Sequence, residues 1–260
     1  MSQTAHRVES AMKSVSNLGV DSAPSQAQSG VDAALLRQRS VLFSVLNDED
    51  ATAIIRLGSL VHYAEKQSVF QVGDAGDHLL ILLSGHVKVS LTSSDGKEVI
   101  LSILEPGDVM GEMALFDGEP RSASLTTLDA CSFLALWRRD FLPFLENNPQ
   151  VALKLLAGLS RRLRSTNDLV GNLSFLNLSA RLARVLLNLA KHYGTQTAAG
   201  VAISLKLSQE ELGNLVGVSR ESVNRQIRIW VEADVLEYTQ GTLIIKKLDA
   251  LVRDSHSTER

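Results

Sequence analysis

Between residues 60 and 137 the chain alternates short apolar runs with glycine-containing turns. The runs are rich in β-branched residues and recur about every ten residues. They are Ser68–Gln71, Leu79–Ser84, His86–Leu91, Glu98–Leu104, Ser122–Thr127 and Cys131–Trp137. Asp95-Gly96, between two of these runs, is typical of a tight hairpin turn. Many short strands at this spacing predict a barrel, a sandwich or a jelly-roll-like β-roll.

The pattern becomes helical after Asn147-Asn148-Pro149 and stays so to about residue 177. One set of positions follows at alternating steps of three and four: Leu156, Leu159, Leu163, Thr166, Val170, Leu173 and Asn177. Such a seam predicts a long dimerisation helix over 149–177. A helix packed on its own domain is the alternative, but polar residues on both sides of the seam favour two chains.

These patterns divide the chain into four segments of an α+β protein. Residues 1–30 are rich in Ser, Ala and Gln without a sustained period, which predicts a disordered tail. Residues 31–148 form the β-rich domain, with short helices expected over 31–58. The dimerisation helix, 149–177, leads to a C-terminal domain over 178–260.

The C-terminal segment has the pattern of a winged helix-turn-helix. We predict a helix over 179–192, a strand over Ile203–Leu207, and helices over 208–216 and 220–232. A closing hairpin, with strands Val235–Thr239 and Thr242–Lys246 around a Gln240-Gly241 turn, would form the wing.

The second of the paired helices has the surface of a DNA-reading helix. Ser208 and Glu211 form a capping box before the first helix, and Ser219 caps the second. The buried stripe of the second helix is expected to be Val223, Ile227, Trp230 and Val231, and the exposed residues Arg220, Glu221, Asn224, Arg225 and Arg228. Arginine can donate two hydrogen bonds to guanine, and glutamate can accept one from cytosine. A plain two-helix corner with solvated charges is the alternative.

The charge distribution is compatible with a polyanionic partner for the C-terminal half. Residues 1–148 carry 11 Lys and Arg against 19 Asp and Glu, a net charge of −8, whereas residues 149–260 carry 15 against 10, a net charge of +5. Basic domains of this size also arise without any such partner, so the asymmetry alone is weak evidence.

A second cluster suggests a phosphate-binding pocket. Gly111-Glu112-Met113-Ala114-Leu115 precedes Arg121-Ser122-Ala123. A guanidinium offers a fork of donors to the oxygens of a cyclic phosphodiester, and Ser122 can add a neutral hydrogen bond. Glu112 would repel a phosphate but can accept from a ribose 2′-hydroxyl, while Gly111 lets the backbone approach a ligand. The alternative is a surface salt bridge between Glu112 and Arg121.

The segment Val216–Arg225, with sequence VGVSRESVNR, resembles the recognition segment of the cAMP receptor protein/FNR (CRP/FNR) family of transcription regulators, and most closely its cAMP receptor protein branch. The resemblance implies that Arg220, Glu221 and Arg225 contact bases in palindromic, TGTGA-related half-sites, and that Ser222 contacts phosphate. The full DNA-binding set is Ser208, Ser219, Arg220, Glu221, Ser222, Asn224 and Arg225.

The 111–123 cluster likewise resembles the phosphate-binding cassette of this family. It implies that Glu112 binds ribose, that Arg121 and Ser122 bind phosphate, and that Gly111, Ala114 and Leu115 line the cassette, with Met113 and Ala123 beside them. Thr166 and Asn167 match the polar pair that contacts the purine across both subunits. The ligand implied is cAMP, with cGMP as a further candidate, and the partners are double-stranded DNA, a second copy and RNA polymerase.

Other kinds of protein fit parts of this sequence pattern. An FNR-like redox sensor needs an N-terminal cysteine cluster, but Cys131 is the single cysteine. A haem sensor would need axial ligands, but His78 and His86 lack a nearby cysteine. A cupin-type metal enzyme would need closely spaced histidines, whereas the six histidines here are scattered. A kinase or channel module leaves residues 208–246 unexplained, whereas a cyclic-di-GMP sensor stays open. No signal segment or membrane span is apparent. We therefore expect a cytoplasmic regulator that is not an enzyme and holds no metal.

Overall fold

The computed structural model describes residues 31–40, 43–153, 176–239 and 242–256, and single positions at 156, 157, 159, 160, 163, 164, 166 and 167. The predicted tail 1–30, the Gln240-Gly241 turn, and Val170 and Leu173 of the predicted seam lie outside the described residues. The chain divides into two compact units, and in its second half the division falls between Leu163 and Arg164.

The short helices expected over 31–58 are present. Helix α1 (Ala33–Arg39) begins where the Asp32 carboxylate accepts from the backbone of Ala34 and Leu35, and α2 (Asp48–Leu57) begins at an Asn47 cap. Asp, Asn and Ser satisfy the unpaired N–H groups of a first turn, so these caps fix both starts. A 3-10 turn, Phe43–Val45, joins the helices.

Two four-stranded sheets form the predicted β-roll. The strands are β1 (Ser59–Tyr63), β2 (Ser68–Phe70), β3 (His78–Ser84), β4 (Val87–Thr92), β5 (Glu98–Leu104), β6 (Val109–Met110), β7 (Ser124–Thr127) and β8 (Cys131–Trp137). Their orders are β1-β8-β3-β6 and β2-β7-β4-β5. β1 and β6 were not predicted. The helices α3 (Glu112–Asp117) and α4 (Arg138–Asn147) complete the roll.

β3 is buried on both of its faces. Because successive side chains point to opposite faces, Leu79 and Ile81 join the helices in one core, whereas Leu80 and Leu82 join the second core with β8. His78 shares the face of Leu80 and Leu82 at the end of the strand. This two-sided burial explains the unbroken apolar run of β3.

The predicted hairpin turn at Asp95-Gly96 is confirmed. Gly96 has a φ of +82°, and Ser93 donates its backbone N–H to the carbonyl of Lys97 at 2.9 Å, so β4 and β5 are joined by a closed turn. A positive φ is readily adopted by glycine, which explains its place here.

The C-terminal unit is a winged helix-turn-helix, as predicted. Its elements are α5 (Leu178–Tyr193), β9 (Gly194–Thr197), β10 (Gly200–Ile203), α6 (Gln209–Val216), α7 (Arg220–Glu232), β11 (Leu236–Thr239), β12 (Thr242–Ile245) and α8 (Leu248–Asp254). The four strands form one sheet in the order β11-β12-β10-β9. β9 and α8 were not predicted.

One predicted strand is displaced. Ile203–Leu207 was expected to be a strand, but β10 occupies Gly200–Ile203, where it pairs with β9 and β12. Leu205 and Leu207 are buried without being in a strand. Their apolar character reflects burial in the core, which the sequence pattern alone could not distinguish from strand pairing.

The segment predicted to dimerise is helical wherever it is described up to Asn167. Residues 149–153 are helical, as are the single described positions that follow. Leu156 and Leu163 are 57% and 63% exposed in the single chain. Asn177, assigned to the seam, instead caps α5, because its side chain accepts from Ala180 N. The seam therefore ends before Asn177.

Candidate ligand pocket and DNA-reading helix

Arg121 is buried inside the β-roll. The residue is only 3% exposed. Nη1 donates to the Gly111 carbonyl at 2.8 Å, and Cζ lies 4.4 Å from the centre of the Phe70 ring. Nε is buried and has no hydrogen-bond partner among the described residues. A buried cation with an unused donor is costly unless an opposite charge compensates it.

Two glycines make room for this guanidinium. A β-carbon on Gly111, which has a φ of +78°, would collide with Nη1 of Arg121, and one on Gly76 would lie 2.9 Å from its Nε. The sequence suggested that Gly111 lets the backbone approach a ligand. In the structure it lets Arg121 approach the backbone, and Gly76, whose role the sequence did not reveal, does the same from the other side.

Carboxylates surround the guanidinium at longer range. Burial lowers the pKa of Arg121, and the charges of Asp77, Glu112 and Asp74 act in the opposite direction. Glu112 is itself only 3% exposed, at the start of α3. Both members of the pair are buried, which excludes the surface salt bridge that the sequence left open.

The candidate cassette lines one pocket, with one exception. The lining residues are Phe70, Val89, Met110, Gly111, Glu112, Met113, Ala114, Arg121, Ser122, Ala123 and Leu125. Leu115 was expected among them. It is fully buried in the core against the helices, because residues next to each other on a helix point in different directions. Phe70 and Val89 were not predicted, since they lie on strands distant in sequence.

The pocket is small in the structure. Its cavity is about 50 Å³, whereas small-molecule sites usually measure about 300–1,000 Å³. Met113 is 46% exposed, and Ser122 Oγ donates to its sulfur at 3.5 Å. Methionine is unbranched and flexible, so a ligand can displace this side chain at little cost.

His78 faces the guanidinium from inside the roll. It is 5% exposed, its Nδ1 lies 2.9 Å from Asp77 Oδ1, and its ring centre is 4.9 Å from that of Trp137. Burial is the main cause that lowers the pKa of His78, and the charge of Arg121 lowers it further, while Asp77 raises it. The imidazole is therefore neutral near pH 7.

The exposed side of α7 has the arrangement that the sequence predicted at its first turns. Arg220, Glu221, Asn224 and Arg225 are exposed, and Ser222 is half-buried. Hydrogen bonds from its own backbone N–H and from Ser219 lower the pKa of Glu221, which keeps its carboxylate charged. Exposed donors and one acceptor thus stand side by side at the start of the helix.

The turn before α7 is held by specific bonds. Ser208 and Glu211 form the predicted capping box, and Gly217 has a φ of +69°. Ser219 accepts from Ser222 N at the start of α7, and Arg181 on α5 donates to the Val216 carbonyl at 2.9 Å. These contacts fix the angle at which α7 leaves the turn.

The buried stripe of α7 differs from the prediction at one position. Val223, Ile227 and Trp230 are buried, but Val231 is 42% exposed. Trp230 points inward and donates Nε1–H to Asp254 on α8 at 2.7 Å. Because α8 was not predicted, the partner that selects Trp230 over Val231 was missing from the sequence argument.

Thr166 and Asn167 are exposed on the helical segment after the roll. Among the described residues, no cluster of His, Cys, Asp and Glu side chains is suited to hold a metal. His62 bonds Ser132, and His86 bonds Asp129. In the described part of the chain, no helix is both long and apolar enough for a bilayer crossing.

Comparison with protein families assigns both halves of the chain. A model of the cyclic nucleotide-binding domain matches residues 60–148, and a model of the Crp-like helix-turn-helix domain matches residues 180–253. The first range contains the pocket around Arg121, and the second contains α6 and α7.

Curated relatives match most of the chain. The CRP-like cAMP-activated global transcriptional regulator of Mycobacterium tuberculosis (strain CDC 1551 / Oshkosh) is 32% identical over 215 residues, which are 83% of this chain and 96% of that protein. The cAMP-activated global transcriptional regulator CRP of Escherichia coli O6:H1 is 33% identical over 184 residues, 70% of this chain and 87% of that protein. These relatives are transcription regulators and not enzymes.

Solved structures share the fold. The c-di-GMP responsive global regulator CLP of Xanthomonas campestris superposes with a TM-score of 0.70 at 24% identity, covering 76% of this chain and 99% of that chain. FixK2 of Bradyrhizobium japonicum superposes with a TM-score of 0.68 at 20% identity, covering 78% and 99%.

Proposed function

Because this chain belongs to the CRP family of cyclic-nucleotide-responsive transcription regulators, we propose that it is a homodimer that binds cAMP around Arg121. The bound dimer reads a palindromic, TGTGA-related site with α7 and acts together with RNA polymerase. The N-terminal domain binds the cyclic nucleotide, and the C-terminal helix-turn-helix domain binds double-stranded DNA.

One observation carries the ligand proposal: the buried guanidinium of Arg121 has an unused donor at Nε. Desolvation of a cation costs several kcal/mol unless an opposite charge compensates it. A cyclic phosphodiester supplies one negative charge spread over two exposed oxygens, which match the guanidinium fork. The phosphate therefore binds at Arg121.

Ser122 and Glu112 place the rest of the sugar-phosphate. Ser122 lines the same pocket, and its hydroxyl can turn from Met113 to the phosphate. Glu112, which precedes Arg121 and Ser122 in the motif, is a buried acceptor that suits a ribose 2′-hydroxyl. A nucleotide larger than the present cavity enters by displacing Met113, which is exposed and flexible.

The preference for cAMP rests on relatives and on Thr166. The relatives that are 32–33% identical are named as cAMP-activated regulators. Thr166 and Asn167 match the purine-contacting pair of the family, and both are exposed in the single chain. Because a threonine hydroxyl can accept from adenine or donate to guanine, cGMP is the first competitor to test.

The dimer proposal rests on exposed leucines. Leu153, Leu156 and Leu163 are 67%, 57% and 63% exposed on one helical segment. Large apolar side chains at such spacing are normally covered by a second helix. A second copy brings its own Thr166 and Leu163 to the same seam, so one interface buries the leucines and completes the purine contacts.

The DNA contacts follow from the exposed side of α7. Arg220 and Arg225 donate to guanine, Glu221 accepts from cytosine, and Asn224 faces the groove beside them. Ser208, Ser219 and Ser222 contact the phosphate backbone, which positions the helix without specifying sequence. In a dimer the two α7 helices meet half-sites about 34 Å apart, one turn of DNA.

Ligand and DNA binding are coupled if cAMP binds one arrangement of the dimer more tightly than another. The phosphate holds the roll at Arg121, and the base holds the two central helices at Thr166. The shift toward the DNA-binding arrangement cannot exceed the difference in cAMP affinity between the two arrangements.

Calorimetric titration with cAMP, cGMP and cyclic-di-GMP tests the ligand directly. We expect cAMP to bind the wild type and the Arg139→Leu control, whose arginine is exposed in an ion pair with Asp140. Binding should be lost in Arg121→Leu. Exclusive binding of cyclic-di-GMP, or unchanged cAMP binding by Arg121→Leu, would contradict the proposal.

A further inference from the structure

The rings of His78 and Phe70 both contact the Arg121 guanidinium. Cζ of Arg121 lies 4.4 Å from the centre of the Phe70 ring, and Nη2 lies 3.5 Å from Nδ1 and 3.4 Å from Nε2 of His78. A donor aligned with one lone pair would be clearly closer to one nitrogen. A position in the ring plane at such equal distances would collide with Cε1, so Nη2 lies over the face of the imidazole.

Three features fix the orientation of the imidazole. The alternation of β3 points His78 into the roll, and its strand register places it opposite Trp137 on β8. Nδ1 lies 2.9 Å from Asp77 Oδ1, so this nitrogen carries the proton that Asp77 accepts. A neutral ring with a fixed orientation offers its electron-rich face to the cation.

We propose that His78 is a positioning residue for ligand binding: it fixes the guanidinium of Arg121 so that the unused Nε faces the incoming phosphate. The inference rests on the proposed function. Arginine otherwise loses considerable side-chain entropy when it binds. Because His78 and Phe70 already fix the side chain of Arg121 in the folded protein, this entropy is lost on folding and not on binding. cAMP therefore binds more tightly.

The arrangement also makes binding depend on pH. The charged groups around His78 are Asp77 and Arg121, and those around Arg121 include Glu112 and Asp74. Arg121 lowers the pKa of His78, and a bound phosphate offsets that charge. The pKa of His78 is therefore higher in the complex than in the free protein, and the complex takes up part of a proton.

The sign of the effect follows from linkage. The state with the higher pKa is favoured as the pH falls, so affinity for cAMP rises as the pH falls through the window between the two values. The lower end of that window lies below the ordinary histidine pKa, because burial and the charge of Arg121 both lower the pKa of His78 in the free protein.

Full-length variants separate positioning from simple packing. His78→Phe keeps an aromatic face but cannot titrate, whereas His78→Leu fills similar space without a face for the cation. His62→Leu is the control, since His62 is an exposed histidine of the same roll that bonds Ser132. Each protein is titrated calorimetrically with cAMP at pH 7.5 and at pH 5.5, in buffers of differing ionisation enthalpy.

We expect His78→Leu to weaken cAMP binding at pH 7.5 by about three- to tenfold. His78→Phe should retain affinity within about threefold, and both variants should lose the rise in affinity at pH 5.5 that the wild type and His62→Leu show. If His78→Leu fails to fold in a thermal melt, His78→Phe and the pH profile still decide. An NMR titration of the imidazole with and without cAMP measures the two pKa values directly.

The outcomes distinguish the two proposals. If the wild type binds no cAMP, the proposed function falls, and the positioning role falls with it. If the wild type binds cAMP but His78→Leu matches it at both pH values, or the pKa of His78 does not rise in the complex, only the role of His78 is overturned.

Discussion

Nη1 of Arg121 donates to the carbonyl of Gly111 at 2.8 Å, and a β-carbon on residue 111 would occupy the space that this nitrogen fills. The start of the cassette and the arginine ten residues later are therefore a single fitted unit. Neither can change size without moving the other, so both belong in any test of the pocket.

Gly111→Ala should weaken cAMP binding at least about tenfold, because it displaces the guanidinium and strains a backbone with φ +78°. Calorimetry measures the affinity, and thermal unfolding measures the strain. The control is Gly96→Ala, where φ is +82° and nothing lies within 4 Å. Equal losses of affinity in both variants would mean that backbone strain alone is responsible.

Arg121→Leu should lower the melting temperature of the ligand-free protein. Removing one member of a buried charge pair leaves the other uncompensated and costs about 3–5 kcal/mol, and the buried carboxylate of Glu112 interacts with the charge of Arg121. Differential scanning calorimetry without nucleotide checks this. An unchanged or raised melting temperature would show that the guanidinium does not compensate the buried carboxylate.

Arg220→Ala should cost about 1–3 kcal/mol at the cognate DNA site and relax the preference for one base pair. Fluorescence anisotropy with a panel of single-base variants of the site measures both effects. Arg253→Ala, on the exposed side of α8, is the control. A uniform loss across all variant sites would assign Arg220 to phosphate and not to a base.

A double change, Leu156→Glu with Leu163→Glu, should convert the protein to a monomer, because charges would be buried in the proposed helix seam. Sedimentation equilibrium gives the molecular mass. Leu248→Glu is a fair control, since Leu248 is also exposed, at 43%, but lies on α8. A wild type that sediments as a monomer would remove the dimer from the proposal.

Asp254→Ala should lower stability by about 1–3 kcal/mol, because it leaves the buried indole N–H of Trp230 without its acceptor. Denaturant unfolding measures the loss. Asp249→Ala, at an exposed position in the first turn of the same helix, should change stability little. If the two variants unfold alike, the bond from Trp230 contributes nothing.

Local sequence patterns predicted much of the fold. The bounds of β5 and β8 match the predicted runs at both ends. Glycine-containing turns delimit β5, whereas the bend at Asp129 and the start of α4 delimit β8. β6, with only two residues, is too short for any periodicity. The strand expected at Ile203–Leu207 was misplaced because burial of Leu205 and Leu207 imitates strand pairing.

The site was harder to predict where it depends on tertiary contacts. Arg121, Glu112 and Ser122 lie close in sequence and were found from their chemistry. Phe70 and His78 reach the same guanidinium from other strands, so only the assembled roll brings them together. The alternation of β3 is the one sequence signal that points His78 into the roll, whereas the sequence patterns suggested His78 only as a possible haem or metal ligand.

The two-sided burial of β3 bears on how reliably the roll assembles. A strand with one polar face is penalised when its pairing slips by one residue, because that face is then buried. In β3 such a slip would only exchange leucine and isoleucine side chains between the two hydrophobic cores. His78 is the exception, since a slip would turn its imidazole away from Arg121 and toward the helices. His78 therefore helps to specify the register of β3. A molecule in which this strand is paired one residue out of register would have a disrupted ligand pocket.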